Sequence, residues 1–129
     1  MNKAQKVVFG FFAIAAVVIA GLFIIYLNVT GKAVYTPGNE TIFYYGESCA
    51  HCKIVKEFMN ENNITSKIPM MMKESFSNEI NGKELIAAGN YCKLPKQDIG
   101  AVPLLYVEGK CYLGDADIID YLKNKSGVR

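Results

Sequence analysis

The apolar and polar positions divide this chain into two unlike parts. From Val7 to Leu27 it reads VVFGFFAIAAVVIAGLFIIYL, with neither a charge nor a proline. That run reaches the roughly 20 residues a helix needs to cross a bilayer. Gly10 and Gly21 are of a kind common in membrane helices. Asn28 to Asn39 (NVTGKAVYTPGN) has two glycines, a proline and few apolar residues, and reads as a linker.

From residue 40 the pattern becomes that of a small sheet-and-helix domain. Thr41 to Tyr45 is continuously apolar and aromatic, which suits a strand buried on both faces. Ala50 to Asn62 has helical spacing, and Ile64 to Met70 predicts a second strand, with Pro69 at its exit. A second helix ends near Cys92, capped at its start by Ser77 or by Asn81, with Leu85, Ile86 and Ala88 as its apolar stripe. Leu94 to Ala101 is a loop. Pro103 to Val107 is a strand, Glu108-Gly109 a tight turn, and Lys110 to Leu113 returns antiparallel. Gly114 breaks the chain, and Asp115 or Asp117 caps a last helix with Ile118, Ile119 and Leu122 inward. The order β-α-β-α-β-β-α predicts an α/β fold. Its first two strands are parallel through a right-handed crossover, and the hairpin completes a mixed four-stranded sheet flanked by helices.

Charge orients the apolar run. Lys3 and Lys6 precede it and no acid lies among residues 1–6. Residues 1–6 are therefore expected in the cytoplasm, 7–27 as an uncleaved transmembrane anchor, 28–39 as linker, 40–125 as the domain and 126–129 as a tail. The run exceeds a usual signal-peptide core, and no clear A-x-A cleavage site follows it. The domain would then lie outside the cytoplasm, on the periplasmic or cell-surface side of a single-pass membrane protein. The net charge is +2. Without a basic stripe interleaved with aromatics, nucleic acid is not an expected partner.

The candidate chemistry is Cys49-Ala50-His51-Cys52, placed between the first strand and the first helix of the domain. Two cysteines three residues apart at a helix start share one face of its first turn. The first sulfur meets unpaired backbone N–H groups and the positive end of the helix dipole, which favour a thiolate. A thiolate attacks disulfides, and the second cysteine resolves the mixed disulfide that forms. Cys49 is thus the expected nucleophile and Cys52 the resolving thiol. His51, the only histidine, can place positive charge beside Cys49, which stabilises the reduced form and makes the disulfide more oxidising. A plain structural disulfide closing so small a loop, or half of a zinc site completed by Cys92 and Cys111, is the competing reading; those two lack the close spacing of a zinc knuckle.

Four segments, IFYYG, CAHC with its helix, GAVPLLYV and KCYLGDADIIDYL, together resemble the thioredoxin-fold superfamily at glutaredoxin-like size. The resemblance covers nearly all of residues 40–125. It implies a cis peptide before Pro103, with Val102 and Pro103 facing the redox pair and contributing to the substrate surface, where Tyr45 is a further candidate. It implies a thiol–disulfide oxidoreductase working on protein thiols, recycled by a membrane redox partner and needing no cofactor or metal. Many thioredoxins have a tryptophan before the first cysteine, and this chain has none. The Ala-His centre is neither Gly-Pro nor Pro-Tyr; its histidine resembles the Pro-His of periplasmic disulfide-forming oxidases. Donation, removal and isomerisation of disulfides all remain open.

Cys92 and Cys111 complete a set of four. In an oxidising compartment this parity suggests an additional disulfide between them, closing a loop of about 20 residues for a stabilisation of about 3 kcal/mol. A second redox pair and two free buried thiols are the alternatives. Two other classes compete with the enzyme: a copper- or zinc-handling protein using these cysteines with Met70, Met71 and Met72, and a redox-inactive scaffold of the same fold.

Overall fold

The computed structural model describes residues 2–29 and 38–128, with the side chains of residues 4, 6–9, 11 and 25–29 excepted. Two units, residues 1–34 and 35–129, divide the chain. The first is α1, Lys3–Val29, a helix of 27 residues. Helical backbone therefore continues through Asn28 and Val29, which were expected in the linker; residues 30–37 of that linker lie outside the described residues. Among the described residues no helix is long and apolar enough to cross a membrane. Within α1 the continuous run of described side chains covers only residues 12–24.

The second unit is an α/β domain. Its elements are β1 (Ile42–Tyr45), α2 (Ala50–Glu61), α3 (Ile64–Lys67), β2 (Met71–Glu74), α4 (Glu79–Tyr91), a 3-10 turn (Lys96–Asp98), β3 (Leu104–Val107), β4 (Lys110–Leu113) and α5 (Asp115–Ser126). The sheet order is β2-β1-β3-β4. β1 pairs parallel with β2, Ile42 opposite Met71, and antiparallel with β3, Phe43 opposite Leu105; β3 pairs antiparallel with β4, Tyr106 opposite Cys111.

Alternation along the two central strands builds two cores. Phe43, Leu105 and Val107 pack with Val55 and Met59 of α2, Ile64 of α3, Ile68, and Ile118 and Leu122 of α5. Ile42, Tyr44, Leu104 and Tyr106 pack on the opposite face with Leu85 and Ala88 of α4. The sheet is thus sandwiched between α2, α3 and α5 on one side and α4 on the other.

The expected strand over Ile64 to Met70 is corrected. Asn63 turns the chain with a left-handed φ of 51°, and α3 follows at once. The Ile68 N–H donates to the Ile64 carbonyl at 2.8 Å, and both isoleucines are buried. Four-residue spacing lets one helical turn bury both, and that burial outweighs the strand preference of ITSKI. Pro69 then holds Ile68 extended, and the strand begins only at Met71, on the sheet edge.

Two caps also differ from expectation. Asn78, rather than Ser77 or Asn81, caps α4, accepting the Asn81 N–H at 3.1 Å. The Asn81 side chain is directed elsewhere, donating to the Glu74 carbonyl at 2.7 Å. For α5 the cap position is Gly114, with φ 89°, and Asp115 and Asp117 fall in the first helical turn. There they suit the helix dipole without serving as the cap.

Candidate functional site

Cys49 is itself the cap of α2. Its backbone is extended (φ −84°, ψ 116°) and its Sγ accepts the Cys52 N–H at 3.1 Å. Ser48, a plausible cap from its residue type, does not take that role. A second bond, from the Cys49 N–H to the Gly46 carbonyl at 3.1 Å, fixes the turn leaving β1. One amide and the helix dipole therefore point at a single sulfur, and both stabilise negative charge on it.

Cys49 and Cys52 are disulfide-bonded, with Cα atoms 5.2 Å apart. Cys49 is partly exposed, whereas Cys52 is fully buried beside Val55 and Met59 on the inward stripe of α2. Only the first sulfur is presented to an incoming group.

The loop before β3 closes over that sulfur. The Val102–Pro103 peptide is cis, and the Val102 carbonyl oxygen lies 3.9 Å from Cys49 Sγ. Pro103 is buried, and its carbonyl accepts the Gly114 N–H at 3.0 Å. The start of α5 is thereby tied to the same loop. Residues 49–52, 102–103 and 114–115 converge from three separate stretches of chain.

His51 lies largely exposed on the first turn of α2, and its Nδ1 is 3.2 Å from Asp115 Oδ2. The hydrogen bond from His51 holds the Asp115 carboxyl below its ordinary value, against partial desolvation. Asp115 is the site residue that sequence reasoning missed. It was assigned to capping, and nothing in the linear pattern signals that a residue 64 positions downstream meets the histidine of the motif. Tyr45, a candidate for the substrate surface, is half-buried. It stacks on Phe43 with ring centroids 5.9 Å apart and lies under Lys56 Nζ at 4.4 Å. Lys56 also pairs with Glu47 at 3.4 Å, so the acid flanking the motif is a surface partner of α2.

Cys92 and Cys111 are disulfide-bonded to each other, with Cα atoms 5.9 Å apart. Cys92 is the C-cap of α4 and Cys111 lies on β4. Both pack against the α4-side core, so the bond joins the end of that helix to the outermost strand. Among the described residues no group of three or more His, Cys, Asp or Glu side chains could hold a metal ion.

A small α/β domain with a mixed four-stranded sheet and a C-x-x-C pair capping its first helix is compatible with a thioredoxin-like fold. No protein-family model matches the chain, and no curated protein shows significant sequence similarity to it.

Proposed function

We propose that this protein is a thiol–disulfide oxidoreductase of the thioredoxin-fold superfamily, acting on protein thiols through Cys49 and Cys52. The observation that carries the reading is the position of Cys49 Sγ. It accepts an N–H bond at the start of α2, is partly exposed, and faces the loop of Val102 and Pro103.

The chemistry balances as two thiol–disulfide exchanges. As a reductant, the Cys49 thiolate attacks one sulfur of a substrate disulfide. A mixed disulfide forms, and the other substrate sulfur leaves as a thiolate that takes up a proton. Cys52, once deprotonated, attacks Cys49 Sγ, which releases the second substrate thiolate and leaves the Cys49–Cys52 disulfide. Two electrons pass to the substrate. Disulfide formation in a substrate is the same sequence reversed. Val102, held by its cis peptide to the buried Pro103, borders the attacked sulfur and contributes the substrate surface, with Tyr45 at its rim. His51 supports the thiolate.

Localisation belongs to the same proposal. Residues 7–27 anchor the chain in a membrane, with the domain on the extracytoplasmic side and a membrane redox partner restoring the pair. The support is the uncharged apolar sequence within α1 and the two lysines before it.

The test is trapping. Cys52→Ala is expected to accumulate mixed disulfides with partner proteins, resolved by reducing agent on a gel, and Cys49→Ala to accumulate none. Equal trapping by the two variants overturns the roles, and no trapping or exchange by any form overturns the function.

A further inference from the structure

The side chain of His51 is 69% exposed, and the contact that fixes it comes from a different helix: Asp115 Oδ2 at 3.2 Å from Nδ1. The carboxylate is firmly presented. Asp115 occupies the first turn of α5, just after Gly114, whose N–H is bonded to the Pro103 carbonyl. Ile118 and Leu122 hold the same helix in the core. Glu47, the acid that flanks the motif, is committed to Lys56. An imidazole bound through one ring nitrogen has its tautomer and orientation set by that bond. With Nδ1 directed at Asp115, Nε2 is the ring edge left to exchange protons.

We propose that Asp115 is a positioning residue of the redox site, holding the His51 imidazole by Nδ1 and so setting how strongly His51 supports the reduced Cys49 sulfur. The proposal rests on the oxidoreductase reading above. Two opposing effects are involved. The carboxylate keeps the ring in place beside the motif, and positive charge on a ring so held stabilises the Cys49 thiolate. Its own negative charge acts on the sulfur in the opposite sense. The first is expected to prevail, because His51 lies two residues from Cys49 at the start of α2, whereas Asp115 belongs to a separate helix and contacts the ring.

The readout is the equilibrium of the full-length chain with glutathione, in which the protein disulfide and two glutathione molecules give the dithiol and glutathione disulfide. Asp115→Ala is expected to lower this constant about two- to fivefold, the range of an exposed ion pair, equivalent to about 9–21 mV for a two-electron couple. In a His51→Ala background the same substitution lowers it no further. His51 is the only histidine, so nitrogen-15 signals of labelled imidazole report this ring alone. At alkaline pH, where an imidazole is neutral, they are expected to show the Nδ1–H form in the parent and in Asp115→Asn, which keeps an oxygen acceptor, and a tautomer mixture in Asp115→Ala. A constant that is unchanged or raised in Asp115→Ala, or an equal drop without His51, overturns the proposal while the oxidoreductase reading stands. A pair that never exchanges with glutathione overturns both.

Discussion

At the scale of single residues, Cys49 combines two features, since its sulfur closes the helix start while the residue stays partly exposed. An oxygen-bearing cap such as serine would satisfy the same amide but could not exchange disulfides. A second example of local backbone capture is Glu74, the last residue of the edge strand β2. The Ser77 hydroxyl, assisted by the backbone N–H groups of Ser77 and Phe76, holds its carboxyl down at about 2, against desolvation. A depressed carboxyl stabilises the fold above its unfolded value, near 4.5, and the contribution is lost as pH falls toward 2. Thermal unfolding of the parent and Glu74→Gln is therefore expected to differ most above pH 5 and to converge toward pH 2. A gap in melting temperature that is constant with pH would contradict this. Asp115 is lowered in the same sense by His51 and adds to the same acid limb.

At the scale of elements, α5 shows how the sheet is held on the side that carries Cys49 and Cys52. Ile118 is fully buried between α5 and the central strands. Ile118→Ala is expected to cost about 2–5 kcal/mol through lost transfer energy and the cavity left behind, read by urea unfolding. It should also disturb Gly114 and the loop of Pro103, since α5 begins there. On the other side, Cys92–Cys111 ties α4 to β4 across a sequence separation of 19. Replacing both by serine is expected to lower stability by about 3 kcal/mol on the chain-entropy account. Thiol–disulfide exchange at Cys49 should persist in that variant, because Cys92 and Cys111 pack with the α4-side core whereas Cys49 and Cys52 lie at the start of α2. Loss of exchange in a variant that remains folded would show that the second disulfide takes part in the redox path.

At the scale of the whole molecule, the chain combines a 27-residue helix with an α/β domain whose Cys49 is partly exposed. In the proposed function, a domain tethered at a membrane surface would meet a membrane partner at high effective concentration, which suits the recycling of the Cys49–Cys52 pair. Protease added to intact cells or spheroplasts is expected to cleave the linker and exposed loops while leaving a fragment that contains residues 7–27. A domain protected until the membrane is lysed would place it on the cytoplasmic side. It would also remove the oxidising compartment as the reason for the Cys92–Cys111 bond.

The linear sequence by itself determined what depends on neighbours in the chain. The C-x-x-C spacing at a helix start, the strand of Ile42 to Tyr45, the Glu108-Gly109 turn and the apolar stripe of α2 are all short-range patterns, and each was legible from periodicity and residue type. Tertiary structure decided what depends on long-range burial and on groups brought together from afar. ITSKI became a helical turn because Ile64 and Ile68 could both enter the core under α5. Asn78 took the α4 cap because Asn81 was drawn to the Glu74 carbonyl. The His51–Asp115 contact exists because Gly114 is bonded to Pro103, which delivers the first turn of α5 to the motif. Local preferences amount to tenths of a kcal/mol per residue, whereas burying an isoleucine contributes about 1.5–3 kcal/mol, so wherever the two disagreed the packing prevailed.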